Sequence, residues 1–142
     1  MSVPAWVGRY IGIPFAENGF AMTGCNCWGL VHLVLAQERG IAVPTYGEIS
    51  ASELLAAARS FRRDAITEPW REITDGLRAF DCVVMSAMTD DARMRLPGHV
   101  GILVSPTRVL HVWKAADAVH MPLDHHRVRN KIIGFHRHRE LA

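Results

Sequence analysis

The order of patterns along the chain is the strongest constraint on its fold. Helical periodicity is confined to the first half of the sequence, and short runs rich in β-branched and aromatic residues follow position 80. These runs are Cys82–Met85, His99–Val104, Arg108–Trp113 and Lys131–Phe135. Helices that precede strands, instead of alternating with them, are typical of an α+β domain with an antiparallel sheet packed on the early helices.

Two helices are predicted in the first half of the chain. The first begins at Cys27, where apolar residues start to recur at helical spacing, and ends at Gly40, a typical C-cap. The second begins with the capping-box segment Ser50–Glu53 and ends at the basic pair Arg62–Arg63. Before them, Trp6–Phe15 mixes large apolar residues with glycine and proline, which predicts an irregular, packed lead-in.

Composition indicates one globular domain spanning residues 1–142. With 49% apolar residues, the chain can bury a core without disulfides. A net charge of +2 disfavours nucleic acid as a partner, and no apolar stretch approaches the ~20 residues of a membrane-spanning helix. Because Met1–Tyr10 lacks the basic start and apolar core of a signal peptide, we expect cytoplasmic synthesis without export and no membrane partner.

The three cysteines favour free thiols. Their number is odd, and Cys25 and Cys27 are separated by one residue, where a mutual disulfide would be strained. We expect Cys25 in a turn and Cys82 in the core of a strand. A zinc site formed by the cysteines and a histidine is a minor alternative, because zinc ligands are usually separated by two to four residues. No cofactor is expected.

Cys27 is the candidate nucleophile. The turn residues Gly24 and Asn26 place it in the first turn of the predicted helix, where the helix dipole favours a thiolate and should lower the thiol pKa. The alternative is a cysteine that simply packs in the core. Gly29 costs the helix about 1 kcal/mol relative to alanine, which we interpret as room for a substrate near the backbone.

Two of the eight histidines, His99 and His111, are candidates for the base that a cysteine nucleophile needs. Each lies within one of two consecutive predicted strands. In this hypothesis one imidazole exchanges a proton with the thiol, and the second fixes the tautomer of the first.

Whether the two imidazoles meet depends on the turn between their strands. If Ser105–Thr107 form a turn with an odd number of residues, Leu103 pairs with Val109, and both rings lie on one face of the sheet with Gly101 between them. If the number is even, the rings lie on opposite faces and cannot cooperate.

The remaining histidines are interpreted as ordinary polar residues. His32 lies on a helix flank, and two segments are expected on a solvated basic surface, His125–Arg127 and His136–His138; His120 is also assigned no special role. A histidine-rich metal site is the sharper alternative, but carboxylates and cysteines do not accompany this group.

Three segments together resemble the NlpC-type cysteine peptidases. Cys27–Val31 resembles the nucleophile segment of that family, with Trp28 as in its phage-tail branch. Gly98–Ile102 resembles the strand of the catalytic histidine, and Leu110–His111 resembles the place of the third polar residue. This resemblance covers most of the chain. Within the family, the chain is similar in particular to the small tail peptidases of phages and gene transfer agents.

This resemblance implies a papain-like α+β fold and cleavage of peptidoglycan stem peptides, commonly between D-glutamate and a diamino acid. It implies Cys27 as nucleophile, His99 as general base and acid, and His111 as the group that orients His99. It further implies phage-tail or tail-like structural proteins as partners and incorporation into such a particle.

The chain departs from the family pattern at two positions. Asn26 stands where aspartate usually precedes the nucleophile, and Phe15 stands where a tyrosine hydroxyl can help to bind the developing oxyanion. The candidate replacements are Tyr10 or the Cys27 backbone N–H acting with other groups. Tyr10, Phe15 and Trp28 are candidate substrate or oxyanion contacts. Loss of an oxyanion donor can lower a rate by about 10²–10³.

Two other functions remain open at this stage. One is a non-catalytic structural protein of a tail tip that keeps the peptidase fold. The other is an acyltransferase, because a thioester can be resolved by an alcohol or amine as well as by water.

Overall fold

The structure is a computed structural model. It describes residues 3–17, 19–43, 70–86, 97–114 and 116–141. The second predicted helix, from Ser50 to Arg63, lies outside the described residues. Within those ranges no helix has the length and apolar character needed to cross a membrane.

The elements are named in chain order. After a 3-10 helix at Ala5–Arg9 come β1 Phe20–Ala21, β2 Gly24–Cys25, α1 Cys27–Arg39, β3 Trp70–Ile73, β4 Cys82–Ser86, β5 Pro97–Ser105, β6 Arg108–Trp113, β7 Ala116–Pro122 and β8 Ile132–His138. A second 3-10 helix, Arg139–Leu141, follows β8.

Helix α1 has the predicted bounds because both of its ends are capped. The Asn26 side chain accepts a hydrogen bond of 2.7 Å from the Gly29 N–H and donates one of 2.9 Å to the Glu17 carbonyl. At the other end Gly40 adopts φ 65°, and its N–H donates to the Ala36 carbonyl. The predicted helix from Cys27 to the Gly40 cap is confirmed.

The described part of the chain forms a six-stranded antiparallel sheet in the order β3-β8-β4-β5-β6-β7. Helix α1 packs mainly on β5, and β1 and β2 form a small hairpin directly before it. The predicted α+β class is therefore confirmed.

Apolar side chains cover both faces of the sheet. Between α1 and the sheet, helix residues such as Leu30 and Val34 pack on Val100 and Ile102. A second cluster covers the opposite face and contains Val83, Met85, Leu103, Val109, Met121 and Val128. Successive side chains of β5 alternate between these two faces.

Strands β3 and β7 were not predicted. They form the two edges of the sheet, and their burial is partial, as shown by the exposed Arg71 and Asp117. Edge strands lack the continuous apolar run that identifies a buried strand. The last predicted strand begins at Ile132 and extends to His138, three residues beyond its expected end at Phe135.

The expectation that His136 and His138 lie on a solvated basic surface is wrong. Both are buried in β8, and Arg137 between them is 7% exposed. Its guanidinium binds the fully buried Asp81 carboxylate through Nε–Oδ1 at 2.6 Å and Nη2–Oδ2 at 2.8 Å. Asp81 lies directly before β4. The basic segment His136–His138 therefore contains one member of a buried ion pair that joins β8 to the start of β4.

Candidate active site

The sulfur of Cys27 lies at the junction of α1 and β5. Cys27 is the first residue of the helix and is 2% exposed. The backbone N–H groups of Val100, Trp28 and Cys27 lie near its sulfur and favour a thiolate there. The helix start therefore surrounds the sulfur with donors, and one more comes from the residue after His99.

The expectation of a lowered thiol pKa at Cys27 is wrong. Burial disfavours the thiolate more than the three N–H donors stabilise it, and the pKa of Cys27 rises to about 11. At this helix start, the cost of removing a charged sulfur from water exceeds the stabilisation of the thiolate by the helix N-terminus. The thiol of the free protein is neutral at pH 7.

The hairpin of β5 and β6 has the register that brings the two histidines together. Leu103 pairs with Val109, the pairing expected for a three-residue turn at Ser105–Thr107, although the turn contains only Pro106 and Thr107. One extra residue in β5, Val104, forms a β-bulge that compensates for the shorter turn. The even turn was expected to separate the rings, and the bulge is the reason that it does not.

His99 and His111 form a buried imidazole pair. His99 Nε2 and His111 Nδ1 are 2.8 Å apart, and neither residue is exposed to solvent. Gly101 lies in β5 beside this pair and has no side chain. A Cβ on it would lie 3.2 Å from the His111 Cβ. The other ring nitrogens, His99 Nδ1 and His111 Nε2, have no hydrogen-bond partner among the described residues.

Burial sets the charge of this pair. It lowers the pKa of His111 to about 4, with a further contribution from His125. Burial also lowers the pKa of His99 well below its ordinary value, and His111 and Lys131 act in the same direction. Both imidazoles are therefore neutral at pH 7, and one N–H lies between them.

The sulfur and the imidazole pair contact adjacent residues of β5. His99 and His111 contact the Trp113 ring, with centroids at 6.2 Å and 4.7 Å. The backbone N–H of Val100, the residue after His99, interacts with the Cys27 sulfur. The peptide unit that joins His99 to Val100 thus connects the two groups.

The end of the β5–β6 ladder explains why the Val100 N–H is available to the sulfur. The ladder between β5 and β6 extends from Ser105–Arg108 to Ile102–Leu110. N–H groups alternate in direction along a strand, so Val100, two residues beyond Ile102, also directs its N–H towards the β6 side. The Cys27 sulfur is the acceptor there.

Tyr10 is not near Cys27. Its hydroxyl donates at 2.7 Å to the Glu38 carboxylate and lies 3.1 Å from the Gln37 side-chain oxygen, at the carboxyl end of α1. Cys27 lies at the other end of this helix, about 16 Å away at 1.5 Å per residue. The expectation that Tyr10 replaces the missing oxyanion donor is therefore wrong.

Phe15 and Trp28 both lie close to the start of α1. Phe15 forms an isolated bridge with Cys25, so its backbone runs beside the segment that precedes the nucleophile. Trp28 is 6% exposed, and its ring lies 6.3 Å from the Trp70 ring in β3. Trp28 contributes mainly to the core between helix and sheet.

Gly29 has a different purpose from the one expected. A Cβ at this position would overlap the Gly19 carbonyl oxygen and lie 3.2 Å from the Cys25 Cβ. Gly29 therefore allows the β1–β2 hairpin to pack against α1, and the close approach is made by the protein's own backbone. Substrate access is not required to explain it.

Cys25 and Cys82 are buried free thiols, as expected. Cys82 lies in β4, and Cys25 lies in the short strand β2 instead of a turn. Burial raises the pKa of Cys25 to about 12. No group of three or more metal-binding side chains occurs within the described ranges.

Trp113 is the neighbour that the sequence did not predict. Its aromatic character only indicated a strand. It follows His111 by two residues in β6, so both side chains lie on one face of the sheet. His126 is exposed and His125 is half-buried, in agreement with the expected surface location of these two residues. His32 Nδ1–H donates to the Val43 carbonyl at 3.1 Å.

Comparison with solved structures identifies the fold. An NLP/P60-family protein of Staphylococcus aureus, described as similar to a lipoprotein, superposes with a TM-score of 0.63 at 21% identity. An NlpC/P60-family protein of Bacillus cereus gives 0.62 at 16% identity. The NlpC/P60 domain of the peptidoglycan hydrolase SagA gives 0.58 at 15% identity.

The chain has an NlpC/P60 fold. The alignments cover 92%, 96% and 92% of this chain, so the likeness extends over nearly all of it. The chain spans about two-fifths of the first two proteins, 38% and 41%, and 92% of the SagA domain. No protein-family model and no curated protein matches the sequence.

Proposed function

We propose that this protein is a cysteine peptidase that hydrolyses amide bonds in the stem peptides of peptidoglycan. The observation that carries the proposal is the buried pair of His99 and His111, joined at 2.8 Å, in which His99 Nδ1 retains no partner among the described residues. The next peptide N–H along β5 binds the Cys27 sulfur. The NlpC/P60 fold, shared with a peptidoglycan hydrolase domain, supports the substrate class.

In this mechanism the tautomer of the imidazole pair determines the direction of proton transfer. When His99 Nε2–H donates to His111 Nδ1, the lone pair of His99 Nδ1 can accept the thiol proton of Cys27. His111 then acts as the orienting group, and it stabilises the imidazolium that forms on His99.

The reaction proceeds through a thioester. The Cys27 sulfur attacks the amide carbonyl carbon as its proton passes to His99, and His99 returns that proton to the leaving amine. Water then attacks the thioester with His99 as base, which releases the acyl group as a carboxylate and restores the thiol. Because the free thiol and imidazole are both neutral, proton transfer is coupled to the attack.

The backbone N–H of Cys27 is the oxyanion donor that the structure supports best. It lies at the amino end of α1, where the first N–H groups have no partner within the helix. Phe15 has no side-chain donor and Tyr10 is bonded to Glu38. An oxyanion site with fewer donors is expected to reduce the rate by about 10²–10³ relative to one with a side-chain donor.

The finer parts of the proposal concern the scissile bond and the biological setting. We place the cut between D-glutamate and a diamino acid, and we place the protein in a phage tail or tail-like particle after cytoplasmic synthesis; both rest on the sequence resemblance. Mass spectra of the fragments identify the bond, and spectra recorded with an added amine distinguish hydrolysis from acyl transfer.

The main test compares three variants on purified sacculi by release of new amino groups. Cys27→Ala should abolish release, and His99→Ala should lower its rate by about 10²–10⁴, the usual contribution of a general acid–base group. Cys82→Ala removes another buried thiol and serves as the matched control, with activity retained. Circular dichroism should show folded protein in each case.

Full activity in Cys27→Ala would refute the proposal. A non-catalytic assembly protein is the second candidate, and the 2% exposure of Cys27 together with its neutral thiol favours it. Failure of the wild type to cleave any muropeptide, combined with stable binding to tail proteins, would select that function.

A further inference from the structure

Positive charge is concentrated between β7 and β8. Residues 123–131, termed the basic loop here, contain three cationic side chains, Arg127, Arg129 and Lys131, and one anionic side chain, Asp124. Their formal sum of +2 equals the net charge of the whole chain, +2. The rest of the protein is therefore neutral in sum, and its charge excess is local.

The basic loop has a defined conformation. Val128 is fully buried and packs in the second apolar cluster. The His125 carbonyl accepts hydrogen bonds from the N–H groups of Val128 at 2.8 Å and Arg129 at 2.9 Å, and the Arg127 N–H donates to His125 Nδ1 at 3.1 Å. The backbone positions from which the Arg127 and Arg129 side chains extend are therefore fixed relative to the sheet.

The end of the loop lies beside the imidazole pair. The Ser86 N–H donates at 2.8 Å to the Lys131 carbonyl. Ile132 pairs with Met85, and Met85 pairs with His99, so these residues form one row across three strands. At about 4.8 Å between strands, the end of the loop lies about 10 Å from the His99 backbone.

The charge of the loop reaches both imidazoles. Lys131 contributes to the lowered pKa of His99, and His125 contributes to the lowered pKa of His111. In the free protein these groups disfavour the imidazolium that the proposed reaction forms. A ligand that brings negative charge to the loop would oppose this effect.

We propose that Arg127 and Arg129, in the loop whose end lies beside the imidazole pair, bind a carboxylate of the peptide substrate. Both residues are exposed, and neither forms an ion pair within the part of the chain that the structure describes. A guanidinium binds a carboxylate through two parallel hydrogen bonds, which gives orientation as well as affinity. This inference rests on the proposed peptidase function and identifies an anionic peptide as the preferred substrate.

The test uses a short synthetic peptide with a γ-D-glutamyl–diamino acid bond in two forms. In one form the D-glutamyl α-carboxylate is free, and in the other it is a carboxamide. For the wild type we expect KM to be about tenfold lower for the free carboxylate, which corresponds to about 1.4 kcal/mol. In the Arg127→Gln/Arg129→Gln variant the ratio of the two KM values should approach one.

Arg71→Gln is the matched control, because Arg71 is an exposed arginine on the edge strand β3. It should keep the wild-type ratio. Affinities of both peptides are also measured by calorimetry with Cys27→Ser, which retains an acceptor for the Val100 N–H, and they should show the same tenfold difference.

The outcomes separate this inference from the proposed function. If both peptides are cleaved with equal KM, or if the double arginine variant keeps the wild-type ratio, the role of the basic loop is refuted and the peptidase function stands. If the wild type cleaves neither peptide and Cys27→Ser binds neither, the proposed function fails, and the carboxylate site fails with it.

Discussion

Two buried polar pairs lie in the same sheet, and they differ in how many of their hydrogen-bonding atoms are used. Asp81 accepts two hydrogen bonds from Arg137 and a third, at 2.9 Å, from the Arg78 N–H. Arg137 also donates to the Gly76 carbonyl at 2.9 Å. His99 and His111 share one contact of 2.8 Å, and each retains a ring nitrogen without a partner among the described residues.

The difference distinguishes a pair held by several hydrogen bonds from a pair that keeps two ring nitrogens without a partner among the described residues. A charged pair with satisfied bonds fixes the position of β8 beside the turn before β4, and it offers no atom to a ligand. A neutral pair with open ring nitrogens carries a desolvation cost of about 1–3 kcal/mol for each unsatisfied group. Such a cost is reasonable where a proton has to be exchanged.

Removal of one member of the ion pair should have the largest effect on stability. Arg137→Met leaves the Asp81 carboxylate buried and without its cation, so the free energy of unfolding should fall by about 3–5 kcal/mol. Urea unfolding measures this change. The double variant Asp81→Leu/Arg137→Met removes both charges and should recover most of the loss; a double variant as unstable as the single one would contradict the structural assignment.

Acid should destabilise the protein through the imidazole pair. The folded-state pKa of His111, about 4, lies below its ordinary value of 6.5, so its contribution to stability is complete above pH 6.5 and is lost as the pH falls towards 4. The loss for His111 amounts to about 3 kcal/mol. His99 acts in the same direction.

Urea unfolding at several pH values between 7 and 4 measures this slope. His111→Gln keeps a polar group opposite His99 but removes one titration, so stability should decline less steeply with falling pH in the variant. Equal slopes in the two proteins would show that His111 is not the buried neutral imidazole described here.

Gly101→Ala should have a smaller effect that reaches both the fold and the site. The added Cβ would lie 2.6 Å from the Val109 Cγ2 and 3.1 Å from the Leu110 carbonyl, so the two strands must separate. We expect a loss of about 1–3 kcal/mol in unfolding free energy and a lower cleavage rate. Gly8→Ala, with open space around the new Cβ, is the control; equal behaviour of the two variants would contradict the close strand approach.

Local patterns in the sequence predicted a substantial part of the fold. The start of α1 at Cys27 and its end at Gly40 follow from capping, which depends on neighbouring residues. The Leu103–Val109 register was one of two alternatives that depended on the turn, and it places His99 and His111 together. The roles of these residues in catalysis stay predictions.

The features that the sequence did not predict depend on contacts between distant segments. The bulge at Val104 and the edge strand β7 require the assembled sheet. The burial of Arg137 depends on Asp81, 56 residues earlier in the chain. The raised pKa of Cys27 has the same origin, because a local helix-dipole argument contains no information about how deeply the sulfur is covered.

The bulge at Val104 has a consequence for evolution of the hairpin. Since one extra strand residue compensates for a two-residue turn, an insertion into the turn can be accommodated by loss of the bulge, with the histidines still on one face. Related chains can therefore differ in turn length by single insertions or deletions and still retain the imidazole pair. A sequence alignment that penalises such gaps heavily would underestimate how closely these chains are related.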